Sequence, residues 1–176
     1  LQLITRAWDP QQGEIRFNDV PLSGFSEAAL RKTVSVVPQR VHLFSATLRD
    51  NLLLAAPDAS DDTLRAMLEQ VGLHKLLEDD GLNSWLGEGG RQLSGGELQR
   101  FCIARALAAN PRYLLADEIT AMFDAVTQSQ IWQALLHEAK ERELGMVIVS
   151  HSESLLKRIC TRRIDLKALQ EKMAAV

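Results

Sequence analysis

Tyr113-Leu114-Leu115-Ala116 and Met146-Val147-Ile148-Val149 are unbroken apolar runs, and each leads into a polar pair, Asp117-Glu118 and Ser150-His151. Short apolar runs without alternation belong to strands covered on both faces, as in parallel sheets. Between them, Ala125 to Glu143 places Ile131, Ala134 and Leu135 on one side of a helix, with Gly145 as its expected stop. Strand, helix, strand is a βαβ unit. The chain is therefore predicted to be α/β around a parallel sheet, with its polar residues at the carboxyl ends of strands, where open sheets bind ligands.

Upstream, Leu1 to Trp8 reads as the end of an amphipathic helix stopped by Asp9-Pro10. Glu14 to Asp19 alternates like a half-exposed strand, and Asn18-Asp19 supplies turn chemistry. Ser26 can cap a short helix through Leu30, and Val34 to Val37 reads as a buried strand running into the Pro38-Gln39 loop. From Thr47 to Leu82, apolar residues recur at three- and four-residue intervals (Leu48, Leu52, Leu64, Leu68, Val71), which predicts a helical subdomain. It ends in Gly87-Glu88-Gly89-Gly90, and Leu93-Ser94-Gly95-Gly96-Glu97 then opens a helix that Asn110-Pro111 stops. Arg163 to Leu166 is expected to form a last short strand before a helical tail from Lys167 to Val176.

Composition narrows the function classes. No apolar run approaches the ~20 residues of a membrane-spanning helix, and a net charge of -3 disfavours a nucleic-acid grip built on bulk positive charge. Lys157, Arg158, Arg162, Arg163 and Lys167 form a local basic cluster, expected to be a solvated face. Cys102 and Cys160 lack metal-ligand spacing, which fits a reducing cytosol, and Leu1 to Trp8 is not a secretory signal. His42, His74 and His137 have no ligand companions, and Trp8, Trp85 and Trp132 are expected to be packing residues.

Four features follow one another: Gln39 after a strand, Leu93 to Glu97 before a helix, Asp117-Glu118 after a strand, and His151 after a strand. With Asp124, their order and spacing resemble the nucleotide-binding (ATPase) domain of the ATP-binding cassette (ABC) family, whose pattern is a Q-loop glutamine, an LSGGE/Q signature, a Walker B aspartate followed by glutamate, a D-loop aspartate and an H-loop histidine. The resemblance covers nearly the whole chain. It implies a P-loop NTPase-like parallel sheet with a helical signature subdomain, the sheet core taking residues 1–39 and 98–176 and the helical subdomain residues 40–97. It also implies ATP and Mg2+ as cofactors. Two glycines at a helix mouth let backbone amides approach a phosphate, and the helix dipole favours the anion; Ser94, Gly95, Gly96 and Glu97 are the implied contacts, with Ser94 and Gly96 as phosphate donors. Phosphoryl transfer to water needs a metal and a group that orients the water, so adjacent carboxylates can divide the work. Asp117 is expected to hold Mg2+, Glu118 to orient or deprotonate the water, His151 to contact the γ-phosphate, and Gln39 to sense metal and water. The implied partners are a second ATPase domain in a head-to-tail dimer with Asp124 at the junction, and the transmembrane domains of a transporter, with Glu88 in the coupling loop. No nucleic-acid partner is implied. The implied place is the cytoplasmic face of the inner membrane, peripheral through the membrane domains.

Val37 to Asn51 and Asn83 to Gly90 resemble exporter-type domains, those of the thiol (cysteine and glutathione) exporter class serving cytochrome bd assembly among them. Arg100 to Leu107 and Asp117 to Asp124 look more like peptide or nickel importer ATPases, so a mosaic joined near Glu97 to Arg100 and ordinary divergence both stand. Ile119 replaces the proline that usually follows the glutamate, and a shifted loop is expected. The family's Walker A loop, Gly-x-x-x-x-Gly-Lys-Ser/Thr, occurs nowhere in these 176 residues. The expectation is an N-terminally incomplete domain that binds ATP weakly and turns it over negligibly, from an intact parent that is a transport ATPase. The alternative is a degenerate or recombined module acting through dimerisation or membrane-domain contacts. With the Walker A strand absent, either Arg163 to Leu166 is expected to re-pair at the edge beside Met146 to Val149 or the region is expected to be less stable. A chromosome-maintenance ATPase head is excluded because the roughly fifty residues between Gln39 and the signature are too few for the long coiled coil of that class.

Overall fold

The computed structural model describes residues 1–174. Its centre is a three-stranded parallel sheet in the order β3-β6-β7, made of Val34–Val37, Tyr113–Asp117 and Gly145–Val149. Val37 lies opposite Ala116, and Asp117 opposite Val149, so the three carboxyl ends fall along one edge. Leu114, Leu115 and Ala116 are buried, as the unbroken apolar run requires. Both crossovers are helical.

The first strands form a hairpin, β1 (Arg16–Phe17) and β2 (Val20–Pro21), whose two turn residues Asn18 and Asp19 have φ of 45° and 66°. Positive φ at both positions defines a type I′ turn, which Asn and Asp tolerate. Ser26 caps α1 (Glu27–Thr33) by accepting from the Ala29 amide. Thr47 and Asp50 close a capping box on α2 (Leu48–Leu53), and Ser60 caps α3 (Asp61–Gln70). Two-residue strands β4 (Ala46–Thr47) and β5 (Trp85–Leu86) pair antiparallel and close off this helical part. The signature helix α4 (Gly95–Ala108) packs on both α3 and α5 (Ala125–Glu141). One continuous apolar cluster runs through Leu48, Leu64, Leu68, Phe101, Ile103, Leu114, Ile131 and Leu135. A smaller one under the hairpin joins Leu22, Leu30, Val34 and Leu115, with Leu1 and Ile4 against it.

The structure corrects several sequence expectations. Leu1 to Trp8 is a run of turns rather than a helix: Arg6 is left-handed at φ 54°, and its Nη1 donates to the carbonyls of Leu22 and Phe25, tying the segment to the hairpin. α5 stops before Arg142, and Glu143, at φ 51°, supplies the left-handed residue expected of Gly145. Gly145 instead opens β7, where a Cβ would lie 2.6 Å from the Tyr113 Cδ1. Arg163 to Asp165 is irregular and Leu166 begins α7 (Leu166–Ala174), so no strand re-pairs with β7, and the expected helical tail is described only to Ala174. The outer edge of β7 therefore has no strand beside it among the described residues, with Val147 and Val149 exposed. Trp132 is buried, but Trp8 and Trp85 are exposed rather than packed.

Candidate functional site

The β6–β7 pairing extends one residue past the strand, the Glu118 amide donating to the Val149 carbonyl at 2.9 Å. Glu118 takes φ of 48°, a left-handed conformation that costs a non-glycine residue roughly 1 kcal/mol. The next residues of the chain hold it there. Ile119 is buried in the core, and Thr120, also buried, accepts from Trp132 Nε1 at its hydroxyl and from Gln128 Nε2 at its carbonyl, both at 3.0 Å. Gln128 also donates to the Phe123 carbonyl, so α5 fixes the whole turn.

Glu118 is turned inward with its side chain 12% exposed, and His151, two residues past β7, lies open to solvent with Nε2 3.5 Å from Glu118 Oε1. That oxygen is buried and has no hydrogen-bond partner among the described residues. A buried acceptor in that state is costly unless a ligand or water completes it. Asp117 ends β6 one residue earlier, half-buried. Gln39 follows β3 at the same sheet edge but is exposed, and no side-chain hydrogen bond joins it to the carboxylates among the described residues.

The Ser94 to Glu97 turn stands apart from this group. Ser94 Oγ accepts from the Glu97 amide and donates to Glu97 Oε2 at 2.8 Å, while the Ser94 amide donates to the same oxygen at 2.9 Å. These bonds hold the Glu97 carboxyl below the usual carboxylate range. Ser94, expected as a phosphate donor, thus spends both donors on an internal carboxylate, and the amides of Gly95 and Gly96 are left as the open donors at this helix start among the described residues. Ser94 and Gly95 are exposed. A Cβ on Gly95 would lie 3.1 Å from Phe123 Cε1, and one on Gly96 3.0 Å from Thr127 Cγ2, so the turn sits against the start of α5. Asp124 caps that start, accepting from the amides of Val126 and Thr127 and from the Thr127 hydroxyl, and these bonds likewise lower its pKa.

A second feature escaped the sequence reading. The side chain of Asn51, fully buried, both accepts from the Phe44 amide and donates to its carbonyl, and Ser45 Oγ accepts from the Glu88 amide. Exposed Phe44, in the loop before β4, and exposed Trp85, in β5, are thereby held in place, with Trp85 Nε1 donating to the Glu88 carbonyl. In the sequence these residues stand out only as part of the exporter-like stretches Val37 to Asn51 and Asn83 to Gly90. Of the thiols, Cys102 is buried, which pushes its pKa up to about 11 and makes it a packing group.

A sheet edge bearing an Asp-Glu pair beside an imidazole, together with a Ser-Gly-Gly helix start, is the arrangement expected of an ABC-type ATPase domain, and the α/β fold is P-loop NTPase-like. The chain belongs to the ABC transporter family, whose sequence profile matches residues 1–121. It is 64% identical over 147 residues, 84% of this chain, to the glutathione/L-cysteine transport system ATP-binding/permease protein CydC of Escherichia coli strain K12, and 47% identical over 154 residues, 86% of it, to the protein of the same description from Haemophilus influenzae. The chain spans 26% of the length of each. Among solved structures, a bacterial Atm1-family ABC exporter with ATP bound superposes with a TM-score of 0.76 and 29% identity, over 88% of this chain and 27% of that one.

Proposed function

We propose that this chain is part of the ATP-driven motor of a thiol exporter, working in head-to-tail pairs at the cytoplasmic face of the inner membrane. The observation that carries the reading is the buried, unpartnered Glu118 Oε1 facing the exposed His151 imidazole. A water accepted there is what hydrolysis of a phosphoanhydride requires. ATP with Mg2+ supplies the phosphoanhydride and neutralises its charge. Asp117 would hold the metal with Gln39 beside it, Glu118 orients the water, and His151 donates to the γ-phosphate. From the second domain, Ser94, Gly95, Gly96 and Glu97 face the phosphates, the open Gly95 and Gly96 amides donating directly and the Ser94 hydroxyl joining them once it is released from Glu97. Asp124 lies at the junction. The domain division follows the same logic, residues 1–39 and 98–176 carrying the carboxylates and 40–97 leading to the signature. The Phe44, Trp85 and Glu88 face receives the membrane domain, and the open edge of β7 takes the strand that bears the phosphate loop.

Titration calorimetry and phosphate release test this. The 176-residue chain, which contains no Gly-x-x-x-x-Gly-Lys motif, is expected to bind MgATP weakly and to turn over negligibly. Preceded by a strand and loop that supply Gly-x-x-x-x-Gly-Lys-Ser/Thr, it should hydrolyse ATP, and Glu118→Gln should abolish turnover while retaining nucleotide. Micromolar affinity in the chain alone, or full turnover in Glu118→Gln, refutes the proposal.

A further inference from the structure

The basic cluster takes no part in the site above. α6 (Glu153–Ile159) is anchored by Leu155 and Ile159 against the core, which turns Lys157 and Arg158 outward. Residues 161–171 are exposed throughout, and Ile164, Leu166 and Leu169 show 61%, 72% and 47% of their surface. Lys157, Arg158, Arg162, Arg163 and Lys167 against Asp165 and Glu171 give the stretch 157–171 a charge of +3, in a chain whose total is -3. Lys157 pairs at 3.6 Å with Glu153, and the other four cations have no carboxylate partner among the described residues.

Charge alone would suit any polyanion. What discriminates is the apolar side chains interleaved with the cations: exposing three large aliphatic groups beside a cationic row suits the boundary between headgroups and acyl chains. A single-stranded nucleic acid would call instead for aromatic side chains on which bases stack, and residues 152–174 contain no Phe, Tyr or Trp. We propose that the segment 157–171 docks on an anionic lipid surface, its cations on the headgroup phosphates and Ile164, Leu166 and Leu169 entering the interface. This contact is independent of the nucleotide site.

Vesicle co-sedimentation of the 176-residue chain tests it, with vesicles of phosphatidylcholine alone or with one-quarter phosphatidylglycerol. Each cation at such a surface strengthens binding about fivefold, so Arg162→Gln/Arg163→Gln should bind the anionic vesicles roughly 25-fold more weakly. Salt at 0.5 M should release the unaltered chain, because screening then acts within a few Å. Ile164→Ser/Leu166→Ser should weaken binding without changing its salt dependence. Equal binding to both vesicle types, no binding to either, or retention of the double Arg variant overturns the proposal. So does binding to a nucleic-acid duplex as tight as to the anionic vesicles. The positions altered are exposed, and the lipid and salt comparisons on the unaltered chain stand without any variant.

Discussion

Arg142 joins three helices, and its removal can be costed from the structure. Its Nε donates to Glu138 Oε2 at 2.9 Å, Nη1 to the Leu107 carbonyl at 3.3 Å, and Nη2 to Gln70 Oε1 at 3.3 Å. It therefore links the ends of α3 and α4 to α5. The Glu138 side chain is 3% exposed and that of Arg142 20%. Arg142→Leu leaves a buried carboxylate with no partner, a change that costs roughly 3–5 kcal/mol when the pair is fully enclosed. Because Arg142 is one-fifth open, water reaches the gap, and the lower end, about 3 kcal/mol, is expected. The double variant Glu138→Met/Arg142→Leu replaces the pair by apolar volume and should lie within about 1 kcal/mol of the parent, about 2 kcal/mol or more above Arg142→Leu alone. Urea unfolding followed by circular dichroism measures all four corners of the cycle, with m expected to be unchanged. A loss below about 1 kcal/mol in Arg142→Leu, or a double variant no more stable than it, would show that the bracket is surface decoration.

Acid should act on the helix caps. Glu97 and Asp124 are both held below their ordinary values by hydrogen bonds to the ionised form, so the folded state binds fewer protons than the unfolded one. Their contribution is complete above the unfolded carboxyl range near 4 and is lost as pH falls through the lower folded values. Ser94→Ala, expected to cost about 1 kcal/mol at pH 7, should flatten the Glu97 part of this acid limb, and thermal melts from pH 7 to 3 in which parent and variant run parallel would contradict it. Gly145→Ala drives a methyl group against the Tyr113 ring and should cost about 1–3 kcal/mol by thermal melting, most of which should be absent when the change is made in a Tyr113→Ala background; a neutral Gly145→Ala would show that the ring moves freely.

The βαβ unit was legible because its strands are unbroken apolar runs and its helix has one apolar face, patterns that burial on two sides or one side imposes. The cap at Ser26 was readable as a short polar side chain before a helix, whereas those at Thr47, Ser94 and Asp124 emerge from the structure. What stayed hidden depends on distant partners. β4 and β5 are two residues each and lie far apart in sequence, so no local period marks them. Glu138 and Arg142 look like an ordinary surface pair four residues apart until α3 and α4 cover them. Gly145 reads as a helix stop because glycine is the usual residue there, yet Glu143 adopted the left-handed conformation and the glycine makes room for Tyr113. In the site, the order of polar residues was readable, but the diversion of Ser94 to Glu97 was visible only as an S-x-x-E capping pattern.

The left-handed bend at Glu118 makes the aim of an acid at the sheet edge depend on a buried indole one helix away. Loosening Trp132 would leave every polar residue of that edge in the chain and still scatter the direction in which this carboxylate points. Tolerance to substitution should accordingly be narrower along the inner side of α5 than packing volume alone suggests.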